Sequence, residues 1–125
     1  MKILVVDDEP LVRKSLGRAF RAKGHEVIET ADGIEGLARW TETLPDLVLL
    51  DVLMPGLSGP DVLRKIMDAK LQKSSRVILM SAYVGEHATD DVMGNMAGVD
   101  LFVAKPFDDI FALVTTAEAL LGRSS

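Results

Sequence analysis

Short apolar runs alternate with stretches of helical periodicity along this 125-residue chain, and that alternation constrains the fold more than any single residue does. The clearest run is Leu47-Val48-Leu49-Leu50, which ends in Asp51 and passes into Val52-Leu53-Met54-Pro55-Gly56. Four large apolar residues in succession, between Pro45-Asp46 and Pro55-Gly56, read as a strand covered on both faces, the pattern of a parallel sheet. Asp51 then stands at the strand's carboxyl end. In open α/β sheets that is the edge where ligands bind.

The other elements follow in order. Ile3 to Val6 is a first strand, and Pro10, with its fixed φ, suits the opening turn of a helix whose apolar face is Val12, Leu16, Ala19 and Phe20. Gly24 ends that helix. Glu26 to Thr30 is a second, weaker strand. Asp32 is a plausible N-cap for a helix carrying Ile34, Leu37, Ala38 and Thr41 on one side, closed by Pro45. Ser58-Gly59-Pro60-Asp61 resembles a capping box with a short acid in place of Glu, opening a helix that uses Val62, Leu63 and Ile66. Val77 to Met80 is the fourth strand. From Gly85 to Met96 the chain is polar and holds two glycines, and a helix is read there on the alternation. Leu101 to Ala104 is the fifth strand, and Asp108 or Asp109 caps a last helix with Ile110, Leu113, Val114, Ala117 and Leu121 as its buried stripe.

Five such units predict an α/β fold of three layers: a doubly wound, flavodoxin-like, five-stranded parallel sheet with five helices and right-handed crossovers. The default strand order is 2-1-3-4-5. In that order the first and third strands are neighbours, so Asp7, Asp8 and Asp51 share one crevice. Ser81 and Lys105, at the ends of the fourth and fifth strands, converge on the same edge. Taken singly, each has a plain structural role: a helix-capping acid, a turn serine, a solvated lysine. Together, four of five strands end in chemically distinctive groups.

Electrostatics says what such a crevice needs. Two carboxylates about 4 Å apart repel by roughly 4 kcal/mol at an effective dielectric near 20, so three call for a compensating cation. Lys105 supplies one charge, and a divalent ion balances the rest. With oxygen ligands only, Mg²⁺ is the natural choice, Mn²⁺ a substitute, and Ca²⁺ less suited. A metal beside a carboxylate, an ammonium and a hydroxyl suits phosphoryl transfer, with Asp51 as nucleophile and an acyl phosphate as product.

Composition narrows the classes. A net charge of −5 argues against a nucleic-acid surface, and the absence of cysteine excludes disulfides and thiolate metal sites. The apolar start runs into Asp7-Asp8-Glu9 too soon for a signal peptide, and no later run approaches membrane-spanning length, so a cytoplasmic protein without membrane contact is expected.

The motifs Val5-Val6-Asp7-Asp8-Glu9, Leu50-Asp51-Val52-Leu53-Met54-Pro55-Gly56, Met80-Ser81-Ala82 and Val103-Ala104-Lys105-Pro106-Phe107 together resemble a response-regulator receiver domain of two-component signalling. The likeness extends over residues 1–121, with 122–125 a tail or the start of a linker. It implies that Asp51 accepts a phosphoryl group from a sensor histidine kinase or a histidine phosphotransfer protein, docked on the first helix near Leu11, Lys14, Ser15 and Arg18. It implies Mg²⁺ held by Asp7, Asp8, Asp51 and the Leu53 carbonyl, contacts from Lys105 and Ser81 to the phosphoryl group, and a cis Lys105-Pro106 bond. A switch through Ser81 and Phe102 is implied, read by a downstream protein effector on the face of the fourth helix, fifth strand and fifth helix. Such a domain is a monomer or a phosphorylation-dependent dimer, and it is no enzyme beyond its own phosphoryl transfer and slow self-dephosphorylation.

Three features depart from the family's usual pattern. Phe102 stands where a tyrosine is common, so only packing can report the state. Ser81 and Lys105 lie 24 positions apart, longer than the family's usual spacing, so the extra residues fall between Tyr83 and Ala97. A shortened, displaced or mobile fourth helix is therefore expected. Leu53 and Tyr83, each two places beyond a site residue, are bulky and predict slow hydrolysis of the acyl phosphate. Other classes share parts of this pattern. An aspartyl-phosphate phosphatase pairs Mg²⁺ with strand-end carboxylates, usually as Asp-x-Asp after the first strand, where this chain has Asp7-Asp8. A nucleotide or flavin module needs a glycine-rich cradle where this chain has Asp7-Asp8-Glu9-Pro10. A receiver-like binding module that never takes phosphate would be expected to lack site residues, and none is missing.

Overall fold

The computed structural model describes residues 1–71, 74–81, 98–107 and 109–122. Five strands, β1 (Lys2–Val6), β2 (Glu26–Thr30), β3 (Leu47–Asp51), β4 (Arg76–Ser81) and β5 (Leu101–Ala104), form one sheet in the order β2-β1-β3-β4-β5. Every neighbouring pair is parallel. The expected architecture and strand order are therefore those observed. Among the described residues there are four helices: α1 (Pro10–Ala22), α2 (Gly33–Thr43), α3 (Gly59–Asp68) and α4 (Ile110–Gly122). The helix expected over 85–96, the added residues around it, Tyr83 and Asp108 lie outside the described residues.

The continuous apolar runs are sorted by strand pleat into two cores, because successive side chains leave a strand on opposite faces. Ile3, Val5, Leu47, Leu49, Ile78 and Met80 pack with Leu16 and Phe20 of α1 and Leu113, Val114 and Ala117 of α4. Leu4, Val6, Val48, Leu50, Val77 and Leu79 pack with Trp40 of α2 and Val62, Leu63 and Ile66 of α3. The three expected layers follow directly.

Helix starts follow the expected chemistry. Asp32 Oδ1 accepts from the Glu35 amide at 2.8 Å, Ser58 Oγ accepts from the Asp61 amide at 3.2 Å, and Asp109 Oδ1 accepts from the Phe111 amide at 2.9 Å. One helix face needs correction. Of the apolar side read from the sequence of α2, Ile34 is 62% exposed and Ala38 and Thr41 are exposed, with only Leu37 half-buried on the core, while Gly33, Gly36 and Trp40 are the buried residues, Gly36 against β1. The reason is steric: a Cβ at Gly36 would stand 2.6 Å from Val6 Cγ1, so α2 lies so close to β1 that only glycine fits. Hydrophobic periodicity scores side chains, so it gives no weight to the glycines that share the buried face with Trp40.

Candidate functional site

The site forms where β1, β3, β4 and β5 end. Register aligns Val6 with Leu50, which carries one step further to set Asp7 beside Asp51. Asp51 in turn pairs with Met80, and Ser81, one step further along β4, pairs with Ala104, so the ends of the four strands meet at one edge within a residue or two of the same level. The loop after β3 turns sharply over them. The Val52 amide donates to the Met80 carbonyl at 2.9 Å and the Gly59 amide to the Val52 carbonyl at 2.8 Å. A Cβ at Gly59 would collide with the Asp51 carbonyl, so glycine there lets α3 start directly against the site.

Asp7, Asp51, Ser81 and Lys105 are buried, and Asp51 is 4% exposed. Asp8 is exposed. Carboxylate oxygens of Asp7, Asp8 and Asp51 all lie within 4.8 Å of one another. Lys105 reaches into this group: its Nζ donates to Glu9 Oε1 at 2.8 Å, Asp7 Oδ2 at 2.9 Å and Asp51 Oδ2 at 3.4 Å. The Lys105 amide donates to the Ser81 carbonyl at 2.7 Å, tying the ends of β4 and β5 together. The Lys105-Pro106 bond is cis, as the resemblance implied. Asp7 is fixed further by the Glu9 amide, which donates to its Oδ1 at 2.9 Å, and by Arg13 Nη1, which donates to its carbonyl at 2.9 Å.

Burial, with the neighbouring Asp7 charge adding to it, pushes the Asp51 carboxyl up to about 7, and Lys105 pulls it only partly back. For Lys105 burial acts downward, yet the hydrogen bonds to Glu9 and Asp7 and the negative charges around it carry its ammonium above the ordinary lysine value. The pocket thus holds a surplus of negative charge. Three all-oxygen carboxylates at this separation fit a hard divalent cation, and Mg²⁺ suits them without requiring a full protein cage.

The sequence reading placed Asp7, Asp8, Asp51, Ser81 and Lys105 at one edge, and the structure brings all five there. Leu53 is also on that edge, its side chain 65% exposed. Phe102 lies in β5 two positions before the strand's last residue, half-buried against the core under α2 and α3 and paired with Leu79. Leu11, Lys14, Ser15 and Arg18 are all exposed on α1, with Leu11 at 84%. Lys14 and Arg18, with Arg21 and Glu29, line an open depression of about 300 Å³. Glu9 was missed as a contact of Lys105. It was visible within the acidic run after β1, but nothing local indicates that a side chain three positions past the strand turns back to β5.

Residues 3–117 match the family described as response regulator receiver domain. Transcriptional regulatory protein ResD of Bacillus subtilis is 38% identical over 124 residues, 99% of this chain and 49% of that protein. This chain thus spans about half the length of that relative. The receiver domain of Francisella response regulator 1452 superposes with a TM-score of 0.87 at 25% identity, covering 99% of this chain and 98% of that one. TrrA of Thermotoga maritima, solved in complex with Mg²⁺ and beryllofluoride, superposes with a TM-score of 0.75 at 31% identity, covering 96% and 97%.

Proposed function

Because the chain belongs to the response-regulator receiver domains of two-component signal transduction, we propose that its signal is a phosphoryl group transferred to Asp51 from a partner's phosphohistidine. The observation that carries this reading is the buried Asp51 carboxylate at a strand end, facing Lys105 and two further carboxylates. In the transfer, an Asp51 carboxylate oxygen bonds to phosphorus while the bond from phosphorus to the donor nitrogen breaks. The donor imidazole keeps that electron pair.

Asp7, Asp8 and Asp51, with the Leu53 carbonyl, would hold Mg²⁺. A bound Mg²⁺ supplies charge neutralisation between the anionic acceptor and the anionic donor. Lys105 would shift from its carboxylates to a phosphoryl oxygen, and the Ser81 hydroxyl would donate to another. Movement of Ser81 frees space for the ring of Phe102 to turn, a change of packing that biases two existing conformations. A downstream protein effector reads that change on the face that includes β5 and α4. The donor, a histidine kinase or phosphotransfer protein, docks on α1 at Leu11, Lys14, Ser15 and Arg18. Leu53 and Tyr83 screen the acyl phosphate from water. Leu53→Asn and Tyr83→Ala therefore speed dephosphorylation, and an unchanged rate removes the screening role.

Intact-mass measurement after incubation with Mg²⁺ and a small phosphodonor tests the central claim. Wild type gains one phosphoryl group and Asp51→Asn gains none. An adduct that persists in Asp51→Asn defeats the assignment. Continuous turnover of small phosphate esters indicates a phosphatase instead, and a fully unreactive wild type indicates a module that acts by binding alone.

A further inference from the structure

An ammonium has three protons to donate, and in Lys105 all three are committed, to Glu9 Oε1 at 2.8 Å, Asp7 Oδ2 at 2.9 Å and Asp51 Oδ2 at 3.4 Å. The longest of these contacts is the one to the proposed acceptor. Glu9 occupies the N-cap position of α1, where a side chain ordinarily bonds the exposed amides of the first turn, yet it makes no such bond. Its carboxylate turns to Lys105 instead. The Glu9 backbone is held separately: its amide donates to Asp7 Oδ1 and its carbonyl accepts from the Arg13 amide at 2.9 Å. The side chain is thus available for a task that the helix start does not need.

The three partners of Lys105 differ in how easily they let go. Asp7 is fully buried and Asp51 nearly so, whereas the Glu9 side chain is 56% exposed and can return to water. We propose that Glu9 is a positioning residue that latches the Lys105 ammonium on the β1 side of the pocket and so restrains phosphoryl uptake at Asp51. This rests on the reading of Asp51 as acceptor. Phosphoryl oxygens arriving on Asp51 compete for the ammonium, and Glu9 is the partner that is exchanged for them. Shortening Glu9 by one methylene keeps its charge but removes its reach, which separates a latch from a general electrostatic effect.

The test compares wild type with Glu9→Ala and Glu9→Asp in two measurements: the rate of phosphorylation by acetyl phosphate at saturating Mg²⁺, and the ¹⁵N resonance of the Lys105 ammonium in metal-free protein. The latch predicts that both variants react about three- to tenfold faster than wild type, with Glu9→Asp close to Glu9→Ala, and that both move the ammonium resonance. A Glu9→Asp protein that reacts at the wild-type rate, or variants that react more slowly, overturns the latch. If wild type takes up no phosphoryl group at all, the assignment of Asp51 fails. The metal-free resonance then decides the placement of Lys105 alone: moved in both variants it supports the latch, unmoved it refutes it.

Discussion

Asp51 is held by the fold in a state it resists. Its carboxyl lies at about 7 in the folded chain, against 3.8 for an ordinary aspartate, so in the absence of metal the unfolded chain ionises it first as pH rises. The sign follows from linkage: the contribution of Asp51 to stability is greatest below about pH 4, falls between about pH 4 and 7, and levels off once the folded group has also ionised. Asp51→Asn therefore stabilises the metal-free protein at pH 8 by about 1–3 kcal/mol, and the gain shrinks towards pH 4. Urea unfolding in the presence of a chelator, run at both pH values, measures this. Lys105 has the opposite role. Its raised affinity for a proton stabilises the fold fully below the ordinary lysine range and is lost only at strongly alkaline pH, above the folded value. Lys105→Met leaves buried carboxylates without their cation and lowers metal-free stability at pH 7.5 by about 2–4 kcal/mol, by the same measurement.

Among the elements, α2 separates what patterning can and cannot detect. Alanine is the better helix former by about 1 kcal/mol, yet Gly36→Ala places a methyl 2.6 Å from Val6 Cγ1 and destabilises the protein by about 1–3 kcal/mol. Ala38→Lys, on the exposed face of the same helix, changes stability by less than about 0.5 kcal/mol. Thermal or urea midpoints of the pair decide which face is buried, and the reverse ranking returns the helix to the face read from its apolar residues. Elements whose buried face is built from large side chains were legible from the start. α1 buries Leu16, Ala19 and Phe20 as read, α3 buries Val62, Leu63 and Ile66, and α4 buries Leu113, Val114, Ala117 and Leu121. The glycines of α2 were not legible, because their role is set by the distance between two elements.

For the whole molecule, the carboxyl edge of the sheet couples stability to the ion it would hold. About 10 mM Mg²⁺ raises the unfolding free energy of wild type by roughly 1–2 kcal/mol if the site binds in the millimolar to sub-millimolar range. Asp51→Asn responds much less, and a chelator reverses the wild-type gain; equal responses would place the ion elsewhere. Among the described residues no helix is long and apolar enough to cross a membrane. By itself the sequence determined the alternation of elements, the parallel sheet, and which side chains end each strand, because these depend on local periodicity and turn chemistry that neighbouring residues carry together. Given the strand order, it also placed Asp7, Asp8, Asp51, Ser81 and Lys105 on one edge. Only the tertiary structure decided that α2 meets β1 through glycine and that Lys105 spends two of its three hydrogen bonds on Asp7 and Glu9. Those outcomes depend on distances of a few ångströms between segments up to 98 positions apart, which no local pattern encodes.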